Sequence, residues 1–247
     1  MSKGTINVSV DNIFPLIKKF LYSDHEIFLR ELISNATDAT VKLKYLTSIG
    51  EAKVDYGNPM IEIKIDKENK KLHIIDQGIG MTKDEIEKYI NEIAFSGAEE
   101  FLEKYKDESG DDKGIIGHFG LGFYSAFMVA EKVEIISKSF KDEPAVHWEC
   151  DGSPEYATEA SDKTDRGTEI ILHIAEDSLE FLEEARINEL LVKYNKFMPI
   201  PIKFGMRTET LPKPEGAKEE DAAPTEEVDN IINNPSPAWT KQPADLN

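Results

Sequence analysis

From Thr5 to Val10 apolar and polar residues alternate with the period of a half-buried strand. Asp11 and Asn12 then offer caps for a helix through "FPLIKKFLY". Helical periodicity resumes at about His25 and runs to about Leu46. The runs "MIEIKID" and "KLHIID" flank the polar turn "KENK" and predict a hairpin. Thr82 and Glu85 form a capping box ahead of a helix over "KDEIEKYINEIA". The polar, glycine-dotted stretch from Ser96 to Gly122 is longer than most loops in a compact domain, which marks it as a lid candidate. A short apolar helix, "FYSAFMVA", follows. "KVEIISKS", "AVHWECD" and "TEIILHI" read as strands whose short links favour antiparallel pairing. One long helix after Asp177, with Leu179, Leu182, Ile187, Leu190 and Leu191, leads to "FMPIPIKFG", a last strand whose Pro199 and Pro201 suit a sheet edge. The pattern predicts an α+β fold in two layers: a mixed, mostly antiparallel sheet with helices on one face.

The pattern fades after about Arg207. "TETLPKPEGAKEEDAAPTEEVDN" is rich in Pro, Glu, Asp and Ala and poor in large apolar residues, so it cannot bury enough surface to offset ordering entropy. The expected organisation is a domain over 1–206, an acidic linker over 207–235, and at 236–247 the start of a further domain, which reads the chain as a fragment. No internal repeat is visible.

Composition narrows the function. With 247 residues, 40% of them hydrophobic, a sizeable core is available. The 29 basic side chains against 48 acidic ones leave a net charge of −19, which argues against nucleic acid as a partner. A small anionic ligand stays open, since it needs only local donors or a metal ion. Cys150 is the single cysteine, so an internal disulfide and a cysteine metal cluster are excluded and a reducing compartment is expected. The opening "MSKGTINVSV" lacks the apolar core of a signal peptide, and no apolar run of about eighteen residues occurs. A cytoplasmic location and no membrane partner are expected.

Four stretches carry candidate chemistry. In "ELISNATDAT", Glu31, Asn35 and Asp38, with Lys42 beyond them, fall within about 60° on a helical wheel, beside the apolar stripe of Phe28, Leu32, Ala36, Ala39, Leu43 and Leu46. That is either a solvated face with an Asp38–Lys42 ion pair or one edge of a polar site; Asn35, a poor helix former, favours the second. In "IIDQGIGM", Gly78 and Gly80 after Asp76 read as a tight turn. Alternatively they are bare backbone that a flat ligand approaches while Asp76 accepts from an amino group such as adenine's. "GIIGHFGLGFYSA" sets Gly114, Gly117, Gly120 and Gly122 before a helix, either as a flexible connection or as an anion site. It contains no phosphate-loop motif, and Gly78-Ile79-Gly80 lacks the third glycine of a dinucleotide fingerprint. In "RGTEIILHI", Thr168 alone is an ordinary strand former.

Together "FLRELISNATDA", "DQGIGMT", "GHFGLGFYSAFMVAEKV" and "RGTEIILHI" resemble the GHKL ATPase family, and within it the nucleotide-binding domain of the ninety-kilodalton heat-shock chaperones of the bacterial HtpG type. The resemblance covers about residues 5–205, and "NPSPAWTKQPADLN" is similar to the opening of that family's middle domain. It implies the Bergerat-type sandwich, binding of ATP and ADP with Mg²⁺, and hydrolysis to ADP and phosphate. By the same resemblance Glu31 is the general base toward water and Asn35 the magnesium ligand, with Asp38 and Lys42 lining the pocket near base and ribose. Asp76 reads adenine, Gly80 and Thr168 complete that site, and Met81 packs on the base. Gly120, Gly122 and Phe123 match the loop that holds the phosphates, and Ser96–Phe119 the lid. Implied partners are unfolded client proteins and, in the full-length protein, a second copy; the fragment itself is expected to be monomeric. The sequence departs from the family at the first lid hinge, where "NEIAFSGAEEF" puts Phe95 and Ala98 in place of the usual lysine and threonine. Competing readings are a nucleotide-binding module with negligible turnover, another GHKL ATPase or histidine kinase, and an acidic scaffold without a ligand.

Overall fold

The computed structural model describes residues 24–92, 97–105, 114–117, 120–211 and 223–237. The strand expected over Thr5–Val10, the helix over "FPLIKKFLY", and Phe95 lie outside these residues. Eight strands form one sheet: β1 (Ile61–Asp66), β2 (Lys71–Ile75), β3 (Ala130–Lys138), β4 (Ala145–Cys150), β5 (Ala157–Ser161), β6 (Gly167–Ile174), β7 (Ile202–Thr210) and β8 (Thr225–Ile231). Their order is β5-β4-β3-β6-β2-β1-β7-β8. Among the described residues only β1 and β7 pair in parallel, and the other neighbours are antiparallel. The sheet is mixed and mostly antiparallel, as the sequence pattern predicts.

Alternation explains the layering, because a strand turns successive side chains to opposite faces. The inner face carries Ile61 and Ile63, Leu72 and Ile74, Val133 and Ile135, and Leu172 and Ile174, all nearly fully buried. Registers stack these residues in rows, with Ile63 opposite Ile74 and Val133 opposite Leu172. Helix α1 (Ile27–Ser48) crosses this face and buries Phe28, Leu29, Leu32, Ile33 and Leu43 completely. Helix α2 (Lys83–Tyr89) begins with the expected capping box: Glu85 N–H donates to Thr82 Oγ1 and Thr82 N–H to the Glu85 carboxylate.

Several elements differ from the pattern-based expectation. α2 stops at Tyr89. The stretch expected as an irregular lid contains helix α3 (Gly97–Lys104), whose Ala98 and Phe101 pack with Leu43, Leu46 and Ile115 in a second, smaller core. Gly122–Met128 is a 3₁₀ helix, not an α-helix, with Ser125 Oγ donating back to Gly122 O at 2.6 Å. The helix expected after Asp177 is two: a 3₁₀ segment, Glu176–Leu182, and α4 (Glu184–Asn195), separated by Glu183 in extended conformation. Leu179, counted as a core position, is 37% exposed.

The last strand begins after Pro201 and is not an edge, since β1 and β8 flank β7. Part of the run expected to be an unstructured linker is strand β8. It is anchored by the buried Asn233, whose Oδ1 accepts from Ile202 N–H at 2.7 Å while its Nδ2 donates to Met198 O and Ile200 O at 2.8 Å.

An ion cluster ties α4 to the entrance of α1. Glu26 accepts from Arg186, from Lys193 at 2.7 Å and from Tyr194 at 2.9 Å, all on α4. Hydrogen bonds from Lys193, Arg186 and Tyr194 hold its carboxyl down near 2 against an ordinary 4.5. A depressed folded-state value means that this contribution is full above about 4.5 and is lost as pH falls toward 2. In Glu26→Gln, thermal unfolding should show a loss of about 1 kcal/mol at neutral pH that shrinks on acidification; a constant loss at all pH values would contradict this reading.

Candidate functional site

Helix α1 is buried on most of its circumference, and its polar stripe is not a solvated face. Asp38 is 4% exposed, and Glu31, Asn35 and Lys42 are half-buried. The stripe forms one wall of a cleft of about 1070 Å³, at the upper end of the range for small-molecule sites. All eleven residues singled out from the sequence line this cleft. Glu31, Asn35, Asp38 and Lys42 come from α1; Asp76, Gly80 and Met81 from the turn after β2; Gly120, Gly122 and Phe123 from the entry to the 3₁₀ helix; and Thr168 from β6.

Within the stripe, each group is held by something definite. Arg30 makes a 2.6 Å ion pair with Glu31. Asp38 accepts from the amides of Ile116 and Gly117 at 2.8 and 2.7 Å, so it pins the glycine-rich segment to the helix. Lys42 donates to Gly97 O at 3.1 Å, at the start of α3, and its ammonium lies 5.7 Å from the Phe101 ring centre. Burial lowers its pKa, with Asp38 and Glu100 pulling the other way. The expected lid region thus reaches α1 through Asp38 and Lys42. Ala98, at the departure from the family pattern, is buried in that contact.

Gly122 brings the glycine-rich segment close to the α1 stripe. A Cβ there would lie 2.9 Å from Glu31 Oε2 and 3.6 Å from Asn35 Nδ2. A Cβ on Gly117 would lie 3.1 Å from Asp38 Oδ2. Backbone and carboxylates therefore approach closely, with no side chain between them.

The opposite wall is the Asp76 turn. The notion that Gly78 and Gly80 stay bare for a ligand does not hold. A Cβ on Gly78 would lie 2.6 Å from the carbonyl carbon of Ala39, and one on Gly80 2.0 Å from Lys138 O, so protein fills both places. Gly80 also has φ +61°, which satisfies the turn reading. What the turn presents to the cleft is Asp76 itself, 6% exposed, with Oδ1 accepting from Gly78 N–H at 2.8 Å. Burial pushes its carboxyl up to about 7, while backbone hydrogen bonds from Gly78 and Thr168 oppose the rise. Such a group accepts a hydrogen bond from a ligand amine when ionised, and it gains ionised character once that bond forms.

Sequence reading missed Ser137, which is fully buried. Its Oγ accepts from Met81 N–H at 2.8 Å and lies 2.8 Å from Thr168 Oγ1, so it joins the turn to β6. Arg166 was missed as well; it clamps the turn from outside, donating to Gly78 O at 3.1 Å and Asp55 O at 3.0 Å. A serine on the inward register of β3, between Ile135 and the strand end, was the available signal for the first. Nothing local marked the second.

The cleft residues are oxygen-rich. Asn35 offers an amide oxygen beside Glu31 and Asp38, a donor type that suits a hard divalent cation arriving with a phosphate ligand.

Comparison with known proteins places the chain in a family. A family model described as histidine kinase-, DNA gyrase B- and HSP90-like ATPase matches residues 22–178. The chaperone protein HtpG of Porphyromonas gingivalis is 58% identical over 245 residues, 99% of this chain and 34% of the relative. That of Bacteroides thetaiotaomicron is 59% identical over 247 residues, 100% and 34%. That of Shouchella clausii is 39% identical over 252 residues, 100% and 39%. The chain spans about a third of the length of the first two relatives. Since the family model matches 157 of 247 residues, the chain belongs to the histidine kinase-, DNA gyrase B- and HSP90-like ATPases.

Proposed function

We propose that the cleft binds ATP with Mg²⁺ and that the chain is the N-terminal ATP-hydrolysing domain of an HtpG-type chaperone that acts on unfolded client proteins in the cytoplasm. The observation that supports this most is the meeting of two walls of opposite chemistry in one cleft: a buried carboxylate, Asp76, on the turn, and the Glu31–Asn35–Asp38 stripe on α1.

In this reading Asp76 accepts from adenine's amino group, and Thr168 and Gly80 complete that end, with Met81 against the base. Gly120, Gly122 and Phe123 hold the phosphates through backbone amides. Asn35 holds the magnesium ion, which neutralises phosphate charge and so reconciles a net charge of −19 with an anionic substrate. Glu31 orients water and takes its proton. Arg30, paired with Glu31, keeps that carboxylate in place until the nucleotide arrives. Lid movement over residues 96–122 excludes water and commits the nucleotide. Because β7 and β8 carry the sheet past the expected boundary at 206, we propose a domain that takes in both strands and the start of a middle domain at 236–247, with dimerisation belonging to the full-length protein. No helix among the described residues is long and apolar enough to cross a membrane.

Calorimetric titration with ADP tests the pocket. Asp76→Asn should lose roughly ten- to a hundred-fold in affinity, because a charge-assisted hydrogen bond of about 1.5–3 kcal/mol is replaced by an amide with the wrong partner on one side. Wild-type affinity should rise with pH until about 7 and then level off, since the free protein's Asp76 must give up its proton to bind. Equal binding by the variant, or a flat pH profile, would refute the assignment. Glu31→Ala should bind ADP like wild type yet release no phosphate from ATP in the full-length protein. Phosphate release that persists in this variant would remove Glu31 from the chemistry.

A further inference from the structure

The sheet face turned away from the helices holds a cluster that the nucleotide site does not use. Register places Glu134 of β3 opposite Glu149 of β4, and His147 of β4 opposite Glu159 of β5. His147 Nε2 lies 2.9 Å from Glu134 Oε2 and 4.0 Å from Glu149 Oε2. The three ligand-type atoms, one from each of Glu134, His147 and Glu149, all fall within 4.8 Å of one another. On the far side of the ring, His147 Nδ1 is 3.0 Å from Glu159 Oε1. The second oxygen of Glu134, Oε1, is bonded to His173 Nε2.

A neutral imidazole has one N–H and one lone pair. With Nδ1–H given to Glu159, the Nε2 position faces Glu134 and Glu149, and either a proton on Nε2 or a metal cation between the three groups satisfies it. We infer that Glu134, His147 and Glu149 form a site for a divalent zinc-type ion, with one nitrogen and two carboxylate oxygens as ligands and water in the fourth position. Three ligands with an imidazole among them suit zinc, whereas magnesium and calcium take all-oxygen shells.

The surrounding groups are those a metal site requires. A ligating histidine donates its other N–H to a carboxylate, here Glu159, and a ligating carboxylate is itself hydrogen-bonded, here Glu134 by His173. Two lysines compete with the ion: Lys132, with Nζ 2.6 Å from Glu149 Oε2 and 3.9 Å from Glu134 Oε1, and Lys71, with Nζ 3.7 Å from Glu134 Oε1. Lys132, the nearer, is one-third exposed on a flexible stem and can swing into solvent, so the ion displaces an ammonium and not a packed side chain. Bound zinc would staple β3 to β4 on the open face of the sheet, independently of the nucleotide cleft.

Equilibrium dialysis of the nucleotide-free chain against zinc chloride at physiological ionic strength tests this. One saturable equivalent should bind, and thermal unfolding should shift upward with added zinc. His147→Ala should weaken binding at least tenfold, and His147→Gln should do the same should the alanine variant fold poorly. Glu159→Gln keeps all three ligands and should weaken binding about tenfold through loss of orientation. Lys132→Ala should tighten it. Absence of a saturable equivalent in both wild type and Lys132→Ala, or equal affinity in wild type and both His147 variants, would overturn the proposal.

Discussion

The cleft exists because the turn from Asp76 to Gly80 touches helix α1 with no side chain between them. Ile79 N–H donates to Ala39 O at 3.1 Å, a main-chain bond between a loop and the middle of a helix. Gly78 makes that approach possible, since any Cβ there would overlap Ala39. The same turn is gripped from its other sides. Gly167, at φ +121°, lies where a Cβ would be 2.0 Å from Asp76 O, Gly80 is pressed against Lys138 O, and Asp76 N–H donates to Thr168 O at 2.8 Å. Three glycines at three contacts let helix, turn and two strands converge, and that convergence fixes the span between the α1 carboxylates and Asp76.

This constraint explains the site's electrostatics. A carboxylate that is 6% exposed between backbone segments is poorly hydrated, so burial raises its pKa to about 7 until a ligand supplies a donor. The α1 stripe has a different environment. Glu31 and Asp38 keep charged or amide partners, Arg30 for one and the Ile116 and Gly117 amides for the other. Carboxylates of contrasting environment line one cleft of about 1070 Å³, which in the proposed reading separates recognition of a neutral base from handling of a charged phosphate chain.

Much of the site was legible because its residues break local rules. Asn35 and Asp38 interrupt a good helix at helical spacing, and the capping box of Thr82 and Glu85 and the β1–β2 hairpin follow from short-range chemistry. The missed elements are those whose structure comes from distant partners. β5 and β8 are edge strands with exposed side chains, so neither needs an apolar alternation; backbone pairing and pairs such as His147–Glu159 hold β5. α3 is amphipathic but short, and its apolar face is defined by residues elsewhere in the chain, among them Leu43, Leu46, Ala52 and Ile115. The break at Glu183 has no proline or glycine to announce it. The glycines of the turn were noticed, but their purpose was misjudged, since which atoms occupy a missing Cβ cannot be read along the chain.

The most direct test of the account is a structure of the chain with ADP and magnesium bound. The account predicts the adenine amino group within hydrogen-bonding distance of the Asp76 carboxylate and the phosphates between Asn35 and Gly122, with the Ile79 to Ala39 contact unchanged. A nucleotide bound outside the space between the turn and α1, or one seated there only after that contact has opened, would contradict it.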